Sequence, residues 1–102
     1  MNKIKEVAFA NEKLREAYLK LKDGKFEEKQ LFEFINRAIN DLKENPLCGT
    51  RIPTRLIPKE YTQKYEINNL WKYNLPNYWR LIYSLVGDEV KIGQFIASAD
   101  NT

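Results

Sequence analysis

Hydrophobic positions along the chain follow three successive rhythms. Between Glu12 and Lys22, the residues Leu14, Ala17, Tyr18 and Leu21 recur at three- and four-residue spacing, which predicts a helix with one apolar stripe. Asn11 stands where an N-cap belongs, because its short side chain can accept from an amide that the first turn leaves unpaired. Asp23-Gly24 ends the pattern, with the glycine expected in the left-handed conformation that closes many helices. Leu31, Phe32, Phe34, Ile35, Ala38, Ile39 and Leu42 then fill a broad apolar face, predicting a second helix from Glu27 to about Glu44. Asn45-Pro46 stops it, since the residue before a proline is disfavoured in the helical region.

Pro46, Pro53 and Pro58 punctuate the stretch from Asn45 to Lys59, which reads as an ordered but irregular connection. From Lys64 onward the rhythm is that of strands. Tyr65, Ile67, Leu70, Trp71 and Tyr73 favour extended backbone, Leu75-Pro76-Asn77 supplies a turn, and Tyr78 to Val86 is a strongly strand-like run. Gly87-Asp88 is a second turn, and Glu89 to Ile96 alternates Val90, Ile92 and Ile96 with polar or small residues. Helices first and hairpin-linked strands afterwards predict an α+β fold in one domain over residues 1–102, an N-terminal helical hairpin packed on a small antiparallel sheet. Val7 to Phe9 is a candidate edge strand. In the strand-like run, Trp79, Leu81, Tyr83 and Leu85 share the face expected to meet the helices, while Tyr78, Arg80, Ile82 and Ser84 share the face expected to stay open.

Composition narrows the chemistry more than the fold. At 102 residues, 43% hydrophobic and 30% charged, the chain has the balance of a globular protein that buries a core without disulfides or metal. Uncharged runs such as Leu81 to Gly87 are far too short to span a bilayer, and the start of the chain has no apolar signal core, so the expected location is cytoplasmic with no membrane. A single cysteine, Cys48, agrees with a reducing compartment. The complete lack of histidine removes the commonest general base and the commonest metal ligand, so no metal and no cofactor are expected and catalysis must run on Lys, Arg, Tyr, Glu or Asp. The net charge of +3 is unevenly placed: Arg51, Arg55, Lys59, Lys64, Lys72 and Arg80 face only Glu60 and Glu66 between residues 51 and 83. A local positive potential there suits a phosphate backbone or an acidic partner segment. Tyrosines and tryptophans are interleaved with these cations, so Tyr73, Tyr78 and Tyr83 are candidates to stack on an exposed base.

Four segments carry a resemblance. Glu44-Asn45-Pro46-Leu47-Cys48-Gly49, Leu56-Ile57-Pro58-Lys59-Glu60-Tyr61, Lys64-Tyr65-Glu66-Ile67-Asn68-Asn69-Leu70-Trp71 and Tyr78-Trp79-Arg80-Leu81-Ile82-Tyr83 together resemble the RelE/ParE toxin superfamily. The resemblance implies the toxin half of a type II toxin–antitoxin pair, held by a cognate antitoxin protein. RelE-like members cleave mRNA on the ribosome without metal, whereas ParE-like members inhibit DNA gyrase. It implies that Arg80 holds the scissile phosphate, and the neighbouring cations Lys72, Lys64 and Arg55 are expected to serve as its catalytic electrostatic support. Arg51, Arg55, Lys59, Tyr73 and Tyr78 are then expected to bind RNA or partner. An alignment from Tyr65 puts Glu66 and Asn68 where family ribonucleases place two lysines, and residues 96–102 lack the basic and aromatic groups expected after the last strand. A structural alternative for Arg80 is an ion pair with Glu66 or Glu89. A RelE/ParE-fold protein that acts by binding, and a generic nucleic-acid-binding domain, are the alternatives in function.

Overall fold

The computed structural model describes residues 6–64 and 67–97. Strand β1 (Glu6–Phe9) leads into helix α1 (Glu12–Leu21) and helix α2 (Phe26–Glu44). A short strand β2 (Thr50–Arg51), a single 3-10 turn (Thr54–Leu56) and helix α3 (Lys59–Lys64) follow. The remainder is β3 (Trp71–Asn74), a 3-10 turn (Pro76–Tyr78), β4 (Trp79–Val86) and β5 (Glu89–Ala97). The α+β class expected from the order of elements is the observed one.

The helical hairpin forms where the spacing placed it. Asn11 caps α1 by accepting from the Leu14 amide at 2.8 Å. On α2, Leu31, Ile35, Ala38 and Leu42 are buried, and each buried leucine or isoleucine contributes roughly 1.5–3 kcal/mol of transfer free energy. Helix α1 has no fully buried residue. It is held by half-buried Leu14, Tyr18 and Leu21. The Tyr18 ring lies 4.8 Å from Phe9 of β1 and 4.9 Å from Phe32 of α2, and its hydroxyl donates to Asn36. Gly24 departs from the expected left-handed cap, since Gly87 is the glycine at positive φ among the described residues. The reason for glycine at 24 is proximity: Glu28 folds back to accept from the Lys25 amide at 2.7 Å, and a Cβ at 24 would meet its carboxylate oxygen at 2.3 Å.

The sheet has five strands in the order β1-β5-β4-β3-β2 and is mixed rather than antiparallel throughout. The candidate edge strand pairs in parallel with β5, Val7 opposite Val90 and Phe9 opposite Ile92. A helical hairpin separates β1 from the rest, so the chain re-enters the sheet at its far side and can pair with the last strand in the same direction. The strand expected from Lys64 also begins later, at Trp71, while Lys59–Lys64 is helical. The Tyr61 amide bonds the Pro58 carbonyl at 3.0 Å, so Pro58 opens this helical turn rather than continuing an irregular loop. Residues 65 and 66, and with them the strand expected at Tyr65, lie outside the described residues.

Leu81, Tyr83, Val90 and Ile92 form the sheet side of the main core, facing Leu31, Ile35, Ala38 and Leu42. Trp79 and Leu85 pack against it, so the face assigned to the helices is the buried one. Strand β5 does not keep one alternation along its length. Ile82 is opposite Gln94 but Tyr83 is opposite Ile92, leaving Gly93 as the extra residue of a bulge. The bulge reverses the faces beyond it, so Phe95 packs on the core and Ile96 lies opposite Arg80 on the other side, contrary to the expected Val90-Ile92-Ile96 stripe. That other side is not open along its length: Ile82 and Ser84, expected on the open face, are both buried. Ile57 and Leu70, with Ile52 and Tyr61, cover Ile82 in a second small core, so the segment leading into α3 lies over the middle of the sheet.

Candidate nucleic-acid interface

A corner built from two of the sequence motifs fixes the position of β4. The Tyr83 hydroxyl donates to the Pro46 carbonyl at 2.9 Å and accepts from the Gly49 amide at 3.2 Å. A Cβ on Gly49 would lie 2.6 Å from both that hydroxyl and the Lys72 carbonyl oxygen, so the chain approaches too closely for any larger residue. The Asn-Pro-Leu-Cys-Gly turn after α2 and the tyrosine of Trp-Arg-Leu-Ile-Tyr are therefore one structural unit. Tyr83 is fully buried and stacks on Trp71 with centroids 6.1 Å apart, which removes it as a base-stacking residue. Burial pushes its phenol from 10.0 up to about 12, and it carries no proton traffic near neutral pH.

Arg80 projects from β4 on the side away from the helices. Its register partners are Asn74 on β3 and Ile96 on β5. It is half-buried, and among the described residues no carboxylate pairs with it. Glu89 lies opposite Val86 at the far end of β4 and pairs with Lys91 at 3.5 Å, so it is not the partner of Arg80. Glu66 lies outside the described residues.

Lys72 is on β3 opposite Ile82, two positions from the Asn74–Arg80 pair, and therefore shares the Arg80 face. Such a diagonal sets the two residues about 7–8 Å apart, within reach of one phosphate for two long side chains. The strand paired with β4 is thus Trp71–Asn74, and it carries Lys72 and Asn74 on the Arg80 face. Asn68 precedes that strand rather than lying in it. Lys64 is the last residue of α3 rather than part of a strand. Arg55 and Lys59 are exposed on the segment that covers Ile82, on the Arg80 side of the sheet.

Two expected site residues stand on the opposite face. Arg51 pairs in register with Trp71 and sits over its ring, with the guanidinium carbon 5.8 Å from the centroid. Tyr73 packs against the main core and donates its hydroxyl to Asp41 of α2. Burial and that carboxylate push its phenol from 10.0 up to about 12. Both follow from strand alternation once β3 is seen to start at Trp71: odd positions face the helices and even ones face away. Cys48 is likewise unsuited to nucleophilic work, since burial and then Asp41 push its thiol upward.

Beside Arg80 the β3–β4 connection forms a groove of about 530 Å³ lined by Asn74, Leu75, Asn77, Tyr78, Trp79 and Arg80. Tyr78 is 82% exposed. Both Asn77 and Tyr78 sit at positive φ, 62° and 66°. Asparagine tolerates this region, but tyrosine there is uncommon and costs on the order of 1–3 kcal/mol. Sequence reasoning placed a turn here and gave no sign of the strain, because glycine is the residue expected to advertise it. The bidentate pairing of Asn69 was also missed: its side chain donates to the Leu85 carbonyl and accepts from the Leu85 amide, both at 2.9 Å, prolonging β3 by one step.

Among the described residues no group of three or more histidine, cysteine or acidic side chains is arranged to hold a metal ion. No helix among them is long and apolar enough to cross a membrane. In comparisons with known proteins, the chain matches no family model, no curated protein and no solved structure.

Proposed function

We propose that this protein is the toxin half of a type II toxin–antitoxin pair, resembling the RelE/ParE superfamily, and that it acts as a metal-independent endoribonuclease on translating ribosomes. The observation that carries this reading is Arg80, without a carboxylate partner among the described residues and on the same face as Lys72. A guanidinium offers a planar pair of donors to two phosphate oxygens. In the proposed reaction the 2′-oxygen of a ribose bonds to the adjacent phosphorus while the bond to the 5′-oxygen breaks. The 2′-hydroxyl proton passes to solvent, and Lys72 supplies the proton taken up by the departing oxygen. Arg80 stabilises the charge that builds on the non-bridging oxygens, the kind of contribution that often dominates such sites. The partner of the resting protein is a cognate antitoxin, whose acidic groups would meet the same cations.

Inducible expression tests this directly. Wild-type protein is expected to arrest growth and to produce cleaved mRNA in a ribosome-dependent assay, and Arg80→Ala is expected to slow cleavage about 10²–10³-fold, the typical loss for one electrostatic donor. Growth without arrest, or cleavage untouched by the substitution, would refute the nuclease reading. Co-purification with the product of a neighbouring small reading frame, without cleavage, would instead favour a protein that acts by binding alone.

A further inference from the structure

The groove at the β3–β4 connection holds what phosphate binding alone does not require. Asn77 and Tyr78 occupy consecutive left-handed positions, and the second is an aromatic residue left 82% exposed. Nothing in the packing accounts for the tyrosine: its ring belongs to neither hydrophobic core, and its hydroxyl has no partner among the described residues. A glycine would relieve the strain, so the position retains a ring at a cost to the fold. The ring stands two residues from Arg80, and both line one groove with Asn74 and Asn77. A planar apolar surface, a phosphate-binding fork and two amide side chains in one open groove match the parts of a single unpaired nucleotide.

We infer that this strained tip is a subsite for one unstacked RNA base, adjoining the phosphate held by Arg80. The inference rests on the proposed RNA-directed function and deepens it by assigning one base of the substrate to the Tyr78 tip. The Tyr78 ring stacks on the base, and Asn74 and Asn77 supply donors and acceptors to its edge, a mode suited to single strands whose bases are already splayed out. The turn makes the ring available without an induced change, because Pro76 and the left-handed pair fix the backbone beneath it.

The test is binding of the full chain to a short single-stranded RNA carrying a fluorescent purine analogue, whose emission is quenched when it stacks. Wild type is expected to bind and quench. Tyr78→Ala is expected to bind about 5- to 150-fold more weakly, the worth of one base–aromatic stack, and to leave emission unquenched at saturation. Tyr78→Phe and Tyr78→Trp should restore both affinity and quenching, and Arg80→Ala should weaken binding while retaining the quench at saturation. Tyr78→Ala that binds and quenches like wild type, with Arg80→Ala weakened, overturns the base subsite and leaves the phosphate surface standing; a tip used by a protein partner would give this result. Failure of wild type to bind the oligonucleotide overturns the base subsite, while the ribosome-dependent nuclease reading stands or falls separately on growth arrest and mRNA cleavage. Because Tyr78 is exposed, unchanged thermal melting of each variant separates these effects from misfolding.

Discussion

Tyrosines divide by what their hydroxyls and rings meet, and their chemistry divides with them. Tyr73 and Tyr83 have their hydroxyls tied to Asp41 and to the Pro46–Gly49 corner, and both phenols are pushed from 10.0 up to about 12. Folding therefore favours their neutral forms. The stability they contribute is fully present below pH 10 and is lost as the pH rises to about 12, because over that interval the unfolded chain has released protons that the folded state still holds. A series of urea midpoints across the alkaline range is expected to fall over that interval, and the fall should be shallower in Tyr83→Phe. Midpoints that hold level to the end of the range would contradict the assignment. Tyr78, by contrast, meets solvent, and it is the tyrosine whose removal is expected to change ligand binding rather than folding.

At the level of elements, the most legible parts of the chain were those with a long and uniform hydrophobic period. Helix α2 is visible in the spacing of Leu31, Ile35, Ala38 and Leu42, and the faces of β4 follow from simple alternation. Elements governed by a single residue were not legible. Gly93 shifts β5 by one position, and the start of β3 at Trp71 rather than near Lys64 decides which cations share a face. The register that pairs Trp71 with Tyr83 puts Tyr73, and Arg51 opposite Trp71, on the helix side and Lys72 on the Arg80 face, a pairing that the residue spacing alone does not reveal. Arg80 itself was readable because its strand was. The corner between α2 and β2 is the element most sensitive to substitution. Gly49→Ala puts a methyl group against a backbone carbonyl and a buried hydroxyl, and is expected to lower unfolding free energy by about 1–3 kcal/mol in denaturant titration. An unchanged midpoint would mean that the corner yields freely.

Across the whole molecule, charge and sheet topology act together. Arg55, Lys59, Lys72 and Arg80 belong to the side of the sheet away from the helices, whereas Arg51 stacks on Trp71 at the other face. Affinity for single-stranded RNA is accordingly expected to fall as salt rises, with a logarithmic slope of about −0.7 for each phosphate neutralised. Arg55→Glu should weaken binding and flatten that slope, and Arg51→Glu should leave both near wild type. Equal losses from the two reversals would argue against a one-sided interface. The pairing of β1 with β5 has a different consequence. Those partners are separated by nearly the entire chain, so the β3–β4–β5 meander, built from local hairpins, can assemble while the flank of β5 still lacks its neighbour. A refolding molecule at that stage offers bare amide and carbonyl groups beside Val90 and Ile92, and the first strand of a second copy fits there as well as its own. Crowded refolding thus favours strand-exchanged dimers, while dilution favours the closed monomer.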